Sequence, residues 1–164
     1  MPVQPIRLFG DPVLRTPADP VIRFDAALAR LIEDLLDTVQ EPGRAGLAAN
    51  QIGSSLAAFA YNVEGQLGYL INPSIVELEG EDDGLEGCLS VPGYYDKVTR
   101  PATVRVRAQN ELGEHFEIAA DGMLAVCIQH EMDHLIGKVF VDHLSPLKRA
   151  RLTARARKKQ RLAG

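Results

Sequence analysis

In Gln129-His130-Glu131-Met132-Asp133-His134, two imidazoles lie four residues apart with a carboxylate directly after the first. On an α-helix such positions share a face with β-carbons about 5–6 Å apart, so both rings can reach one ion. The chemistry this permits is metal-assisted hydrolysis. A divalent cation makes water nucleophilic near neutral pH, and Glu131 is the natural base for the proton that the water loses. A catalytic centre of this kind needs a third protein ligand and an open fourth position, so the rest of the chain must supply another donor.

The two cysteines, Cys88 and Cys127, are too few for a disulfide framework. Cys127 shares the helical stripe of the histidines, but an ion bridging them sits about five residues away along the axis. That is roughly 7.5 Å at 1.5 Å per residue, beyond the reach of a thiolate bond of about 2.3 Å. Cys127 therefore reads as wall. Cys88, between Gly87 and Leu89, comes from outside the helix and is the candidate third ligand, the alternative being an ordinary buried thiol. Asp133 leaves the helix on a different side from both histidines and reads as a supporting or solvent-facing group.

These residues need a scaffold. Asp25 can cap a helix whose Leu28, Leu31, Ile32, Leu35, Leu36 and Val39 recur at helical spacing, with Pro42-Gly43 as its stop. Strand-like segments follow at Leu56–Val63 and Leu67–Asn72, then Ser74–Glu79 beyond Pro73. An acidic loop, Glu81-Asp82-Asp83-Gly84, leads to the cysteine. Alternation over Thr103–Ala108 and a turn near Asn110 to Gly113 give two more antiparallel strands, the second through Phe116 and Ile118. Asp121-Gly122 opens the metal helix, which is apolar on several faces and stops at Gly137, so it belongs in the core. The order predicts an α+β fold: antiparallel strands packed around a buried central metal-binding helix, with helices at the N- and C-terminal ends.

At 164 residues, 46% of them hydrophobic, the chain suits one core. Residues 1–147 are expected to form a single catalytic domain and residues 148–164 a basic helical tail. That tail holds 8 of the 18 basic residues and no acidic one, leaving 10 basic against 22 acidic residues in the body. Such a segment can approach nucleic-acid phosphates electrostatically, against the plainer reading of a solvated terminal helix. No apolar run approaches the roughly 20 residues that span a membrane, and residues 1–10 carry no signal-type apolar core, so a cytoplasmic protein without membrane partners is expected.

Three segments, Gly46-Leu47-Ala48-Ala49-Asn50-Gln51, Glu86-Gly87-Cys88-Leu89-Ser90 and Gln129 to His134, resemble in order and separation the three signature motifs of bacterial peptide deformylases. The resemblance runs from about Ile6 to His143. It implies that Cys88, His130 and His134 bind iron(II), or zinc, that Glu131 is the acid and base, and that Gln51 with the Leu89 N–H forms an oxyanion site. The implied activity is removal of formyl from N-formylmethionine on nascent peptides, with the basic tail near ribosomal RNA and no DNA partner. Substrate-binding residues are then expected at Ala45, Gly46, Leu47, Glu86, Leu124, Val126 and Cys127, with Gly46 and Leu47 offering backbone groups and Glu86 pairing with Arg100. Arg44 and Ala45 stand where the family usually has glycine and a bulky aliphatic residue, and Gly93-Tyr94-Tyr95 lacks a basic residue that some relatives carry. These departures motivate an alternative, a related metal-dependent amidohydrolase of altered acyl or side-chain specificity. A further reading, a structural metal clip, requires a fourth protein donor.

Overall fold

The computed structural model describes residues 3–163, with side chains as far as Lys158. Lys159, Arg161 and Gly164, counted above with the tail, lie outside the described side chains or residues. In chain order the elements are α1 (Ala26–Val39), β1 (Gly46–Ala48), β2 (Ala58–Val63), β3 (Gln66–Glu79), β4 (Asp82–Cys88), β5 (Val91–Arg100), β6 (Thr103–Gln109), β7 (His115–Asp121), α2 (Gly122–Leu135) and α3 (Pro146–Ala163). Strands β1-β2-β3-β6-β7 form one antiparallel sheet and β4-β5 a separate hairpin. The α+β expectation is met.

Helix α1 starts where the Asp25 carboxylate accepts the Leu28 N–H at 3.0 Å, satisfying one of the amides that a helix start leaves open. Its stripe of Leu28, Ile32, Leu35 and Val39 is buried against Leu47, Ala58 and Ala60 of β1 and β2, and each such side chain stabilises the fold by about 1.5–3 kcal/mol. In β6, Val104, Val106 and Ala108 are buried and Arg105 and Arg107 exposed, as alternation requires.

Two segments differ from expectation. Strand β3 passes straight through Pro73, because a register shift between Ile71 and Ser74 places the proline where no ladder N–H is needed. Asn72 adopts φ +51° there and fixes the bend, accepting from Val21 N and donating to Val21 O and Gln109 Oε1, each at 2.8 Å. The acidic stretch expected as a loop is instead the first half of β4, from Asp82, paired along β5. Its glycines and carboxylates hide the alternation, and cross-strand pairing replaces the apolar pattern as its support.

Helix α2 lies between these layers. Ala125, Ile128 and Leu135 pack on Phe59, Leu70, Val104 and Val106 of the sheet. Gly137, at φ +79°, follows its C-terminal turn and donates to His134 O at 3.1 Å, the left-handed exit common at helix ends. Helix α3 is held by Leu152 and Ala156, one turn apart, which join Phe9, Val91, Val98, Phe140 and Val141 in a third cluster. Its basic residues from Lys148 to Lys158 are exposed.

Candidate active site

Cys88 ends β4, and His130 and His134 leave one face of α2. One ligand atom from each of the three lies within 4.8 Å of the others, and among the described residues they are the sole such group. Cys88 Sγ is 3.4 Å from His134 Nε2, close to the roughly 3.5 Å between two donors of one tetrahedral ion. His130 turns Nδ1 toward Glu86 Oε1 at 3.0 Å, leaving Nε2 for the shared point. Three donors converge here, and among the described residues no fourth joins them as a structural clip requires.

The surroundings fit a cation. Burial, with the charges of His130 and Arg100, holds His134 well below the usual imidazole range, so it is neutral as a ligand must be. Burial also lowers His130, but Cys88, Glu86 and Glu131 outweigh it and draw a proton onto that ring. A pocket that stabilises positive charge at that point favours a divalent ion there, which takes the proton's place. Glu131 is 2% exposed. Its Oε1 has no hydrogen-bond partner among the described residues. Burial pushes its carboxyl up to about 7, opposed by His130 and reinforced by Asp133 and Glu86.

Gly46 faces this carboxylate from the edge strand β1. A β-carbon there would lie 2.7 Å from Cys127 Sγ and 2.9 Å from Glu131 Oε2. Space, not backbone conformation, therefore demands glycine. Gly46→Ala is expected to lower kcat/KM at least tenfold, about 1.4 kcal/mol, with metal content retained; formate release and metal analysis on one sample check it.

A network of charge supports His130. Arg100 donates through Nε and Nη2 to the two Glu86 oxygens, at 2.5 and 2.9 Å, and through Nη1 to Asp133 Oδ2 at 3.0 Å. His143 Nε2 lies 2.7 Å from the same Asp133 oxygen. The expected Glu86–Arg100 pair is present. Glu86 borders the cleft, and both its oxygens are engaged, by Arg100 and by His130, so it orients the His130 ring. Asp133 likewise supports from behind.

Gln51 is buried. Its Oε1 accepts from Ala48 N at 2.9 Å and its Nε2 donates to Ser90 Oγ at 3.1 Å, with Cys88 Sγ at 3.6 Å. Leu89, next in the turn after Cys88, lines the same cleft. Asn50 donates to His134 O at 2.7 Å and ties the first motif to the end of the metal helix. Neither the Asn50 contact nor the Glu86–His130 contact was expected from the sequence. The available signal was polarity within the motifs: Asn50 had no assigned role, and Glu86 was assigned only to substrate and Arg100.

The cleft holds about 650 Å³ and is bordered by Ala45, Gly46, Gln51, Leu85, Cys88, Leu89, Tyr95, Met123, Val126, Cys127, His130 and Glu131, among others. Two expected lining residues are elsewhere. Leu124 packs with the sheet cluster, because it sits six residues before His130, while Met123, seven before, falls on the His130 face. Leu47 is fully buried against α1 and pairs with Ala60. Arg44 does not take the positive φ of a glycine; Gly43 does, at +83°, and Arg44 donates to Thr38 O near the end of α1 at 2.9 Å.

Residues 3–150 match the model of the family described as polypeptide deformylase. A peptide deformylase of Acidothermus cellulolyticus is 49% identical over all of this chain and 91% of its own length. The crystal structure of a peptide deformylase from Legionella pneumophila superposes with a TM-score of 0.91 at 44% identity, covering 98% of this chain and 97% of that one. A peptide deformylase from Ehrlichia chaffeensis in complex with actinonin gives 0.92 at 36% identity, covering 98% and 99%.

Proposed function

Because this chain belongs to the peptide deformylase family, whose members remove the formyl group from N-formylmethionine, we propose that Cys88, His130 and His134 hold its catalytic metal and that Glu131 moves the proton. The carrying observation is the convergence of these three donors beside a buried carboxylate with a free oxygen. The chain is a metal-dependent hydrolase, and iron(II) is the ion we assign, with zinc the competitor, since thiolate and imidazole suit both.

When bound, the cation supplies Lewis-acid activation of water and of the formyl carbonyl. Glu131 accepts the proton lost by the attacking water and delivers it to the α-nitrogen as the C–N bond breaks, leaving formate and a free amine. The Gln51 amide and the Leu89 N–H donate to the carbonyl oxygen as it gains charge, each worth a few kcal/mol in a dry site. The Gln51 contact to Cys88 Sγ supports this aim, because it turns Nε2 toward the ligand cluster. Ala45, Gly46, Met123, Val126 and Cys127 receive the methionine side chain.

Anaerobic purification with metal quantification and a formate assay on formyl-Met-Ala-Ser tests the assignment. Iron near one per chain with formate release is expected, and removal by a chelator abolishes activity until iron(II) is returned. Full activity with zinc alone would reassign the metal. The small Ala45 favours one further comparison: formyl-Leu or acetyl-Met peptides turned over faster than formyl-Met would support the altered-specificity reading.

Residues 1–147 act in this proposal as the catalytic body, working in the cytoplasm where nascent chains are made. Among the described residues no helix is long and apolar enough to cross a membrane. The exposed basic face of α3 is proposed to approach ribosomal RNA. Reversing charge at the exposed Arg151, Arg155 and Lys158 preserves the Leu152 and Ala156 contacts. It is expected to abolish co-sedimentation with ribosomes at low salt. Binding that survives the reversal, or does not weaken with salt, would refute the contact.

A further inference from the structure

Asn50 and His134 are buried, at 2% and 0% exposure, and they meet. Asn50 Nδ2 donates to the His134 carbonyl at 2.7 Å. This fixes which way the amide points, because a carbonyl oxygen only accepts. The other end of the amide, Oδ1, and the outer nitrogen of the ring, Nδ1, have no hydrogen-bond partner among the described residues. Polar atoms at this depth are paired in folded proteins, so each requires one.

The two atoms are complementary. His134 Nε2 faces Cys88 Sγ at 3.4 Å and the point that the three ligands share, so the neutral ring carries its proton on Nδ1 and donates there. Asn50 Oδ1 accepts. The other two ligands already have outer support. Glu86 Oε1 lies 3.0 Å from His130 Nδ1. Gln51, beside Asn50 in the short 3-10 turn Ala49–Ile52, reaches Cys88 Sγ at 3.6 Å. His134 is the ligand whose outer nitrogen is still unassigned.

Resting on the metal assignment above, we infer that one buried water joins His134 Nδ1 to Asn50 Oδ1, which makes Asn50 the positioning residue for this ligand. The amide holds the end of α2 through Nδ2, while the water accepts the Nδ1 proton and donates to Oδ1. Two hydrogen bonds of about 2.8 Å each span a pair of atoms that do not meet directly, and buried waters characteristically serve such otherwise unpaired groups. With Nδ1 committed to donating, Nε2 stays free of a proton and turned toward the ion.

A high-resolution crystal structure of the zinc-loaded chain is expected to show one ordered water within hydrogen-bond distance of both atoms. In the metal-free chain labelled with ¹⁵N-histidine, His134 should give the signature of the Nδ1–H tautomer. Asn50→Leu keeps the branched shape without either polar group, and it should populate the Nε2–H form. The same variant should release zinc to a chelator at least tenfold faster than the parent, the scale of lost outer support. No water joining the two atoms, or a tautomer and a zinc release unchanged within twofold in Asn50→Leu, would overturn the inference. The crystal structure needs no variant, so it decides the matter should Asn50→Leu fail to fold. Zinc bound by fewer than three of Cys88, His130 and His134 would instead remove the metal assignment, and this inference with it.

Discussion

Replacing Glu131 with glutamine is expected to lower kcat for formyl-Met-Ala-Ser by about 10²–10⁴-fold, the range of a positioned general acid and base, while metal content and melting temperature are maintained. The separation follows from geometry. Glutamine has nearly the shape of glutamate, so the 2.9 Å approach to the space above Gly46 is unchanged. The carboxylate has one oxygen without a partner and sits at 2% exposure, and burying such a charge costs folding free energy. Removing the charge therefore does not destabilise the chain through that term, although the amide gains its own unpaired polar groups. Formate release and a thermal melt on the same preparation check the two halves. Turnover within tenfold of the parent would remove Glu131 from the chemistry. A large fall in melting temperature would show that the residue holds the fold instead.

Glu131 was legible from the sequence because its argument is local: four residues of helix fix which face each side chain takes. The same periodicity places Met123, not Leu124, beside His130, so that correction follows from arithmetic already available in the chain. Cys88 is different in kind. It lies 42 residues from His130 in the sequence, and only donor chemistry, with the resemblance, linked them. The hairpin that delivers it is hidden in the sequence because Asp82, Asp83 and Gly84 carry no apolar alternation; its register rests on pairing with β5, which no single segment encodes. The continuity of β3 through Pro73 is equally hidden, because a proline inside a strand is tolerated only at an edge or a bulge, and a bulge is a property of two strands.

The pairing that positions His130 leads to the second large effect. Arg100→Met is expected to destabilise the chain by about 3–5 kcal/mol, because it leaves the buried Glu86 carboxylate without its arginine counter-ion and takes one of two partners from the half-buried Asp133. The arginine is only 5% exposed and Glu86 4%, so water cannot replace the lost partner. The metal should be affected too. Glu86 holds His130 Nδ1 at 3.0 Å and is itself held by two arginine N–H groups; losing such outer support typically costs about 10–100-fold in metal affinity. Methionine keeps much of the apolar stem volume, so the loss reflects charge more than a cavity. Glu86→Gln made alone retains a hydrogen-bonding oxygen and leaves Arg100 its 3.0 Å bond to Asp133, so it should cost less. A double-mutant cycle joining the two substitutions decides whether they act as one unit. If Arg100 matters because it neutralises Glu86, the double variant will be more stable than the sum of the single losses predicts. Denaturant unfolding with and without metal separates folding from retention of the ion. Strict additivity, or Arg100→Met losses under about 1 kcal/mol, would mean that His130 is held by the packing of α2 and not by this chain of charges.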